Sequence, residues 1–201
     1  MKESILSGEW GSCPRWIVLD VDFHLRRATL SEPIRYAQLA KHLGVQLGER
    51  VPASEVRAAV LNLRTSKGMI LDDSDRDTYS LGSFFTNPVI SAETAMQLPE
   101  DAPRFDVLNN AAKNQIGAAA PKVAGQIKTS AAWLITHAGF KPGFGLPGSA
   151  SISTKHALAL TNRGDAAAAD IVSLARQVRD GVFEKFGIKL VPEPVTVGIE
   201  I

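Results

Sequence analysis

Residues 15–27 alternate between apolar and polar side chains, and this is the strongest secondary-structure signal in the chain. A period of two places alternate residues on opposite faces of a strand, so this stretch predicts a half-buried β-strand. Its apolar face consists of Ile17, Leu19, Val21, Phe23 and Leu25. A strand of this length needs a sheet, and residues 1–14 offer little to pair with it. The pattern therefore predicts that a partner is missing upstream.

The length and net charge of the chain limit the number of domains and the kinds of partner that it can have. A chain of 201 residues supports one large domain, or one domain with an appendage. The net charge of +1 gives no electrostatic case for a nucleic-acid partner or a membrane surface. Cys13 is the single cysteine and is predicted to be an incidental thiol in a reducing compartment. No membrane span, signal peptide or metal site is predicted, and a cytoplasmic location is expected.

Helix signals follow the alternating stretch. Pro33 predicts the start of a short helix over residues 34–42, which Gly44 ends. Ser54 is predicted to cap a second helix, and Ser130 a third over residues 131–138. A long helix is predicted to begin at Asp165, with one apolar face, and to end at Gly187. The apolar face of this helix contains Ile171, Leu174, Ala175, Val178 and Val182.

The remaining segments predict short strands. Residues 156–162 are expected to form a strand, and residues 188–201 a strand broken by prolines. Residues 99–127 contain few large apolar side chains, which predicts a mobile insertion that buries little. The predicted fold class is α+β: a short mixed sheet packed with three to four helices and preceded by a terminal strand.

The stretch from Arg64 to Pro88 is the first candidate for a functional site. Arg64 and Lys67 are predicted to project from one face at the end of the second helix. After a polar loop, residues 82–88 place Ser83 beside two phenylalanines and Asn87. A hydroxyl held against apolar walls near cations could pass a proton to an anionic substrate. The alternative is a hairpin corner with a buried phenylalanine pair and a capping serine.

Two further residues are open to both a structural and a functional interpretation. Glu193 lies between Pro192 and Pro194, so it is either a well-positioned functional carboxylate or an exposed charge on an edge strand. Tyr36 lies in the first turn of the first predicted helix. Its hydroxyl could face a ligand, although a surface tyrosine is the simpler interpretation.

Four motifs, taken in order, resemble one enzyme family. They are Arg64-Thr65-Ser66-Lys67, the Gly-Ser-Phe-Phe-Thr-Asn-Pro run at 82–88, the Lys-Thr-Ser-Ala-Ala-Trp-Leu-Ile run at 128–135, and Leu190-Val191-Pro192-Glu193. This order is similar to that of UDP-N-acetylenolpyruvoylglucosamine reductases, also called UDP-N-acetylmuramate dehydrogenases. Residues 153–164 resemble the actinobacterial branch. The resemblance covers nearly the whole chain except residues 99–127.

The resemblance implies an oxidoreductase of peptidoglycan precursor synthesis. Such enzymes use FAD and NADPH to reduce the enolpyruvyl ether of UDP-N-acetylenolpyruvoylglucosamine to UDP-N-acetylmuramate. By resemblance, Ser83 is the proton donor and Glu193 is the carboxyl group that assists it. Lys67 and Asn87 match substrate-binding positions, and Tyr36 matches a tyrosine that closes over the nucleotide. Arg64 lies in the same substrate-binding neighbourhood.

Two departures from the family pattern limit what this chain is expected to do alone. The family's flavin-binding domain precedes this region, so residues 1–30 are interpreted as its last strand and residues 31–201 as the substrate-binding domain. Lys2 also takes the position of a family arginine, and lysine cannot form the same bidentate contact with a carboxylate. No cofactor-binding residue is predicted, and a flavin-binding half must come from the same chain or a partner. Without it the chain is expected to be inactive, and the alternatives are a non-catalytic UDP-sugar-binding module or an inert remnant.

Overall fold

The computed structural model describes residues 9–10, 13–14, 17–109 and 120–201. The chain divides into two compact units. The first unit extends to Thr78 and includes Val195–Gly198; the second consists of Tyr79–Pro194 and Ile199–Ile201. None of the helices in the described ranges has the length and apolar character needed to cross a bilayer.

The first unit contains a pair of helices, α1 (Ala37–Leu43) and α2 (Ala53–Thr65). It also contains a short antiparallel pair, β1 (Glu9–Trp10) and β2 (Cys13–Pro14), and a 3-10 helix at Arg76–Thr78. The predicted end of α1 is confirmed, because Gly44 adopts a left-handed conformation with φ of 71° and closes the last turn.

The predicted starts of both helices are wrong. Helix α1 begins at Ala37 rather than residue 34, because the Ile34 carbonyl accepts from the Gly48 N–H (2.8 Å) instead of from a helical N–H four residues later. Helix α2 begins at Ala53, so Ser54 lies inside it and Pro52 occupies the capping position. Proline is tolerated at a helix start because the first N–H groups have no intrahelical acceptor.

The strand predicted over residues 15–27 is not formed by residues 17–27; residues 15–16 lie outside the described ranges. The predicted inward-facing side chains are exposed, with Ile17 at 86%, Phe23 at 76% and Leu25 at 84%. A strand exists only when its backbone N–H and C=O groups pair with another strand. No described strand pairs with this stretch, so its alternating residues do not belong to a described sheet.

The second unit contains two three-stranded antiparallel sheets. The first is built from β3 (Ser80–Ser83), β7 (Ala150–Ile152) and β8 (Ala159–Asn162) in the order β3-β8-β7. The second is built from β4 (Val89–Ser91), β5 (Arg104–Leu108) and β6 (Lys122–Thr129) in the order β4-β6-β5. The helices of this unit are α3 (Ala92–Gln97), α4 (Ala131–His137) and α5 (Ala168–Phe186).

The core of the second unit lies where α5 packs against β7, β8 and α4. The apolar face predicted for the long helix is confirmed, since Leu174, Ala175, Val178 and Val182 are buried and Ile171 is partly buried. The helix begins at Ala168 rather than Asp165, and the Asp170 carboxylate accepts a hydrogen bond from the Ala167 N–H (2.9 Å). The predicted α4 and its Ser130 cap are also confirmed.

The prediction of a mobile insertion over residues 99–127 needs correction where the chain is described. Strands β5 and β6 pair along most of their length, and residues 110–119 lie outside the described ranges. Arg104 also anchors the start of β5, because its guanidinium donates to five backbone carbonyls. Order here comes from backbone pairing and polar contacts, which a count of large apolar residues does not detect.

The predicted strands at the end of the chain are shorter than expected. Strand β8 begins at Ala159 rather than His156, and residues 188–201 contribute an isolated bridge between Pro192 and Phe85 instead of a strand. Proline has no N–H to donate, which limits pairing in this segment. The predicted α+β class is confirmed, with five α-helices and two antiparallel three-stranded sheets among the described residues.

Candidate active site

Strand β3 positions Ser83 at the edge of the buried core. Ser83 pairs with Ala159 of β8, and the next N–H, that of Phe84, donates to the Leu158 carbonyl (2.7 Å). Phe84 and Phe85 are 2% and 1% exposed and contact each other edge to face. The predicted buried phenylalanine pair is therefore confirmed, and it holds the backbone on which Ser83 sits.

The Ser83 side chain does not form the cap that the structural alternative predicted. Ser83 is the last residue of β3, and no described helix begins next to it. Its hydroxyl forms no hydrogen bond with any described residue, and the residue is half-buried. The hydroxyl is therefore available to a ligand.

Backbone hydrogen bonds bring Glu193 next to this strand end. The Glu193 N–H donates to the Phe84 carbonyl (2.7 Å), and the Thr86 N–H donates to the Val191 carbonyl (3.0 Å). Thr86 and Val191 are 105 positions apart in the sequence, and the Thr86 hydroxyl also donates to the same carbonyl (3.3 Å). This pairing fixes the backbone of residues 191–193 against that of residues 84–86.

Ser83 and Glu193 line one depression of about 440 Å³, together with Leu81 and Pro194. The Glu193 side chain is exposed and forms no hydrogen bond or ion pair with another described residue. The depression thus combines a hydroxyl and a carboxylate with two apolar walls. Such a pair can hold and transfer a proton at a bound substrate.

The same four residues include no cation that would hold the pyrophosphate of a flavin nucleotide. They offer one carboxylate and one hydroxyl, and a carboxylate repels the pyrophosphate that such a cofactor carries. The glycine and proline loop over residues 140–148 also lacks the pattern of a phosphate-binding loop. We assign no FAD contact to the described residues.

Asn87 is anchored to the start of α4. Its Oδ1 accepts a hydrogen bond from the Ala131 N–H (2.9 Å), while the Ser130 hydroxyl accepts from the Trp133 N–H (3.3 Å). Because a backbone N–H only donates, the Asn87 atom that faces it must be the oxygen. The exposed amide therefore has its NH₂ group left to donate elsewhere.

The other three predicted site residues belong to the first unit. The Lys67 Nζ donates to the Gln38 Oε1 (3.0 Å), and the Arg64 guanidinium donates to the Met69 carbonyl (3.4 Å). Helix α2 ends at Thr65, so Lys67 lies just beyond the helix that was predicted to carry it. Tyr36 precedes the first residue of α1 and is 78% exposed.

Sequence reasoning missed Leu81, Pro194 and Gln38. Leu81 precedes Ser83 by two positions in β3, and this spacing, which places two strand residues on one face, was the available signal for a site wall. The sequence identifies Pro194 only as a neighbour of Glu193. Nothing in the sequence pattern singles out Gln38, which is recognised only from its contact with Lys67. Lys2 lies outside the described residues.

The comparisons with known proteins agree with the resemblance seen in the motifs. Residues 74–197 match the family model described as "UDP-N-acetylenolpyruvoylglucosamine reductase, C-terminal domain". A protein of Thermobifida fusca named UDP-N-acetylenolpyruvoylglucosamine reductase is 52% identical over 187 residues, covering 93% of this chain and 51% of that protein.

Two other relatives with the same name show a similar match. The Streptomyces coelicolor protein is 49% identical over 193 residues, covering 93% of this chain and 48% of that protein. The Cutibacterium acnes protein is 49% identical over 189 residues, covering 93% and 46% respectively. The chain spans about half the length of these curated relatives. The predicted resemblance is confirmed: this chain belongs to the family of UDP-N-acetylenolpyruvoylglucosamine reductase C-terminal domains.

Proposed function

We propose that this chain supplies the substrate-binding and proton-donating part of an enzyme that reduces UDP-N-acetylenolpyruvoylglucosamine to UDP-N-acetylmuramate for peptidoglycan synthesis. The shared name of its relatives supports the substrate. The observation that carries the proposal is the common depression lined by Ser83 and Glu193, whose side chains have no other described partner.

The chemistry assigned to these residues is protonation at carbon. Reduction of an enolpyruvyl ether adds a hydride to the terminal carbon, so negative charge develops beside the carboxylate. FAD, reduced by NADPH and bound outside the described residues, would supply that hydride. Ser83 then gives its hydroxyl proton to the carbon next to the carboxylate, and Glu193 assists across the depression. A serine hydroxyl is a weak acid, so this role requires a site that stabilises charge.

The substrate's anionic nucleotide end is assigned to the other predicted residues. Lys67 is a point charge suited to the diphosphate, and it forms no ion pair with any described residue. Asn87 donates a hydrogen bond from its free NH₂ group, which suits a ligand that carries many hydrogen-bond acceptors. Tyr36 closes over the nucleotide, which its high exposure permits, and Arg64 adds a second cation.

A flavin-binding half completes the enzyme, in the same chain or as a partner in the cytoplasm. Residues 1–30 are assigned to that half as its last strand, and residues 31–201 form the substrate-binding domain. The exposed apolar residues of the 17–25 stretch support this division, because they have the pattern of a strand but no sheet. Without the flavin-binding half the chain does not turn over.

The competing hypothesis is that the chain is a non-catalytic UDP-sugar-binding module or an inert remnant. A flavin absorption band in the protein purified from its natural source distinguishes the enzyme from these two. UDP-sugar titration then separates the binding module from the remnant.

The proposal is tested in a chimera that joins the non-matching half of the Thermobifida fusca relative to this chain. We expect NADPH oxidation that depends on the UDP-sugar substrate. Ser83→Ala should slow reoxidation of the reduced flavin by substrate on the order of 100-fold or more, since general acids contribute about 10²–10⁴-fold. Reduction of the flavin by NADPH should be unchanged.

Ser80→Ala is the matched control, because Ser80 lies in the same strand and its hydroxyl accepts from the Gly82 N–H (3.2 Å). It should leave both half-reactions near their original rates. If Ser83→Ala lost both half-reactions, Ser83 would be a structural residue. If Ser83→Ala kept the rates of the unchanged chain in both half-reactions, Ser83 would not be the proton donor.

A further inference from the structure

Lys67 is held by a side chain from another helix. Its Nζ lies 3.0 Å from the Oε1 of Gln38, which belongs to α1, 29 positions earlier in the sequence. Lys67 is half-buried, while Gln38 is exposed. Lysine has a flexible four-carbon stem, so a fixed ammonium position requires a partner. Gln38 is that partner among the described residues.

The Gln38 side chain is uncharged, and this determines how the Lys67 ammonium can bind an anionic ligand. A carboxylate at the same place would form an ion pair with the ammonium and compete with an anionic ligand. An amide oxygen fixes one of the three N–H donors and leaves the full positive charge in place. The other two donors then remain for a ligand, since Lys67 makes no ion pair within the described ranges.

We infer that Gln38 is a positioning residue that holds the Lys67 ammonium ready for the diphosphate of a nucleotide ligand. The inference rests on the proposed function, which assigns the diphosphate to Lys67. Gln38 acts through Lys67 rather than by touching the ligand itself. Its contribution is to reduce the rotamer freedom that Lys67 would otherwise lose when the ligand binds.

The test is calorimetric titration of UDP into the full chain and its variants. Lys67→Ala should weaken binding on the order of tenfold or more, because it removes a charge-assisted hydrogen bond. Gln38→Ala should weaken it roughly two- to tenfold, the range expected for one neutral hydrogen bond. Gln38→Glu should also weaken it, with a loss that shrinks as salt is added, because it introduces a competing ion pair.

The deciding measurement is the coupling between the two residues. In the Lys67→Ala background, Gln38→Ala should have no further effect, since there is no ammonium left to position. Gln46→Ala serves as the matched control, because Gln46 is also exposed and its backbone, not its side chain, contacts Glu49. This variant should bind UDP as the unchanged chain does, and all variants should show similar thermal unfolding.

The outcomes separate the inference from the proposed function. If Lys67→Ala weakens binding while Gln38→Ala does not, or if Gln38→Ala acts equally in both backgrounds, the positioning role is overturned and the diphosphate contact stands. If Lys67→Ala leaves the affinity unchanged, or if the unchanged chain does not bind UDP, the diphosphate assignment fails and the positioning role fails with it.

Discussion

Asn87 shows how one side chain can serve the fold and a ligand at the same time. Its oxygen accepts the Ala131 N–H at the start of α4, where the first helical N–H groups have no intrahelical acceptor. Its NH₂ group points away from that bond and is available to a substrate acceptor. The fold thus determines that a ligand meets the NH₂ group of Asn87 and not its oxygen.

This polarity predicts different results for two substitutions of Asn87. Asn87→Asp keeps an oxygen for the Ala131 N–H, so the free energy of unfolding should stay close to that of the unchanged chain. It also replaces the donor with a negatively charged oxygen, so UDP affinity should fall on the order of tenfold or more. Asn87→Ala loses the helix contact as well and should reduce the free energy of unfolding by about 0.5–2 kcal/mol.

Urea unfolding and UDP titration on the same preparations separate the two effects. Equal UDP affinity in Asn87→Asp and the unchanged chain would mean that the NH₂ group does not contact the diphosphate. A large loss of stability in Asn87→Asp would mean that the Ala131 contact depends on more than its acceptor.

At the scale of the elements, α5 approaches a neighbouring side chain closely at Gly181. A Cβ added at this position would lie 2.5 Å from the Phe140 Cζ, well inside van der Waals contact. Phe140 is buried and contacts Phe144 edge to face, with ring centroids 4.9 Å apart. The glycine therefore makes room for the ring, even though glycine is a poor helix former.

Gly181→Ala should destabilise the chain for this reason. Replacing a helical glycine with alanine gains about 1 kcal/mol of helix propensity, but overpacking a core costs typically 1–3 kcal/mol. The clash should exceed the gain, so the urea midpoint should fall. Adding Phe140→Leu to Gly181→Ala should recover part of the loss, since the smaller side chain relieves the contact.

Ser173→Ala on the exposed face of the same helix is the control for propensity alone. It should leave the midpoint unchanged or raise it slightly. A rise in the midpoint of Gly181→Ala would contradict the prediction and show that the Phe140 ring moves aside at little cost.

At the scale of the whole molecule, the first unit is poorly supplied with buried apolar side chains. Among its described residues, Ile34, Ala40 and Ala59 are the buried hydrophobic ones. The apolar residues of the 17–25 stretch are exposed, and an exposed alternating segment is a template for strand pairing. Such a stretch favours interaction with other chains.

We therefore predict that the chain alone associates as its concentration rises. Val21→Ser combined with Phe23→Ser should reduce the association, because it removes apolar area without adding charge. Asp22→Ser combined with His24→Ser changes the opposite face and should have a smaller effect. Light scattering during gel filtration measures the mass directly, and a monomeric unchanged chain at all concentrations would contradict the prediction.

The sequence alone determined the features that depend on near neighbours. The buried face of α5, the Ser130 cap of α4 and the glycine ends of α1 and α5 follow from contacts within a few residues. A helix hydrogen bond joins residues four apart, so its pattern is present in any short window of sequence. The family was also recognisable, because four motifs kept their order.

Only the tertiary structure decided which distant residues meet. The alternation over residues 15–27 predicted a strand, but residues 17–27 have no described strand partner, while residues 104–108 and 122–129 became strands by pairing with each other. The bridge between Phe85 and Pro192 brought Glu193 to the depression that Ser83 lines, and the packing of α1 and α2 brought Gln38 to Lys67. Strands pair, and site residues come together, through contacts between residues far apart in the chain. No local sequence pattern specifies these contacts.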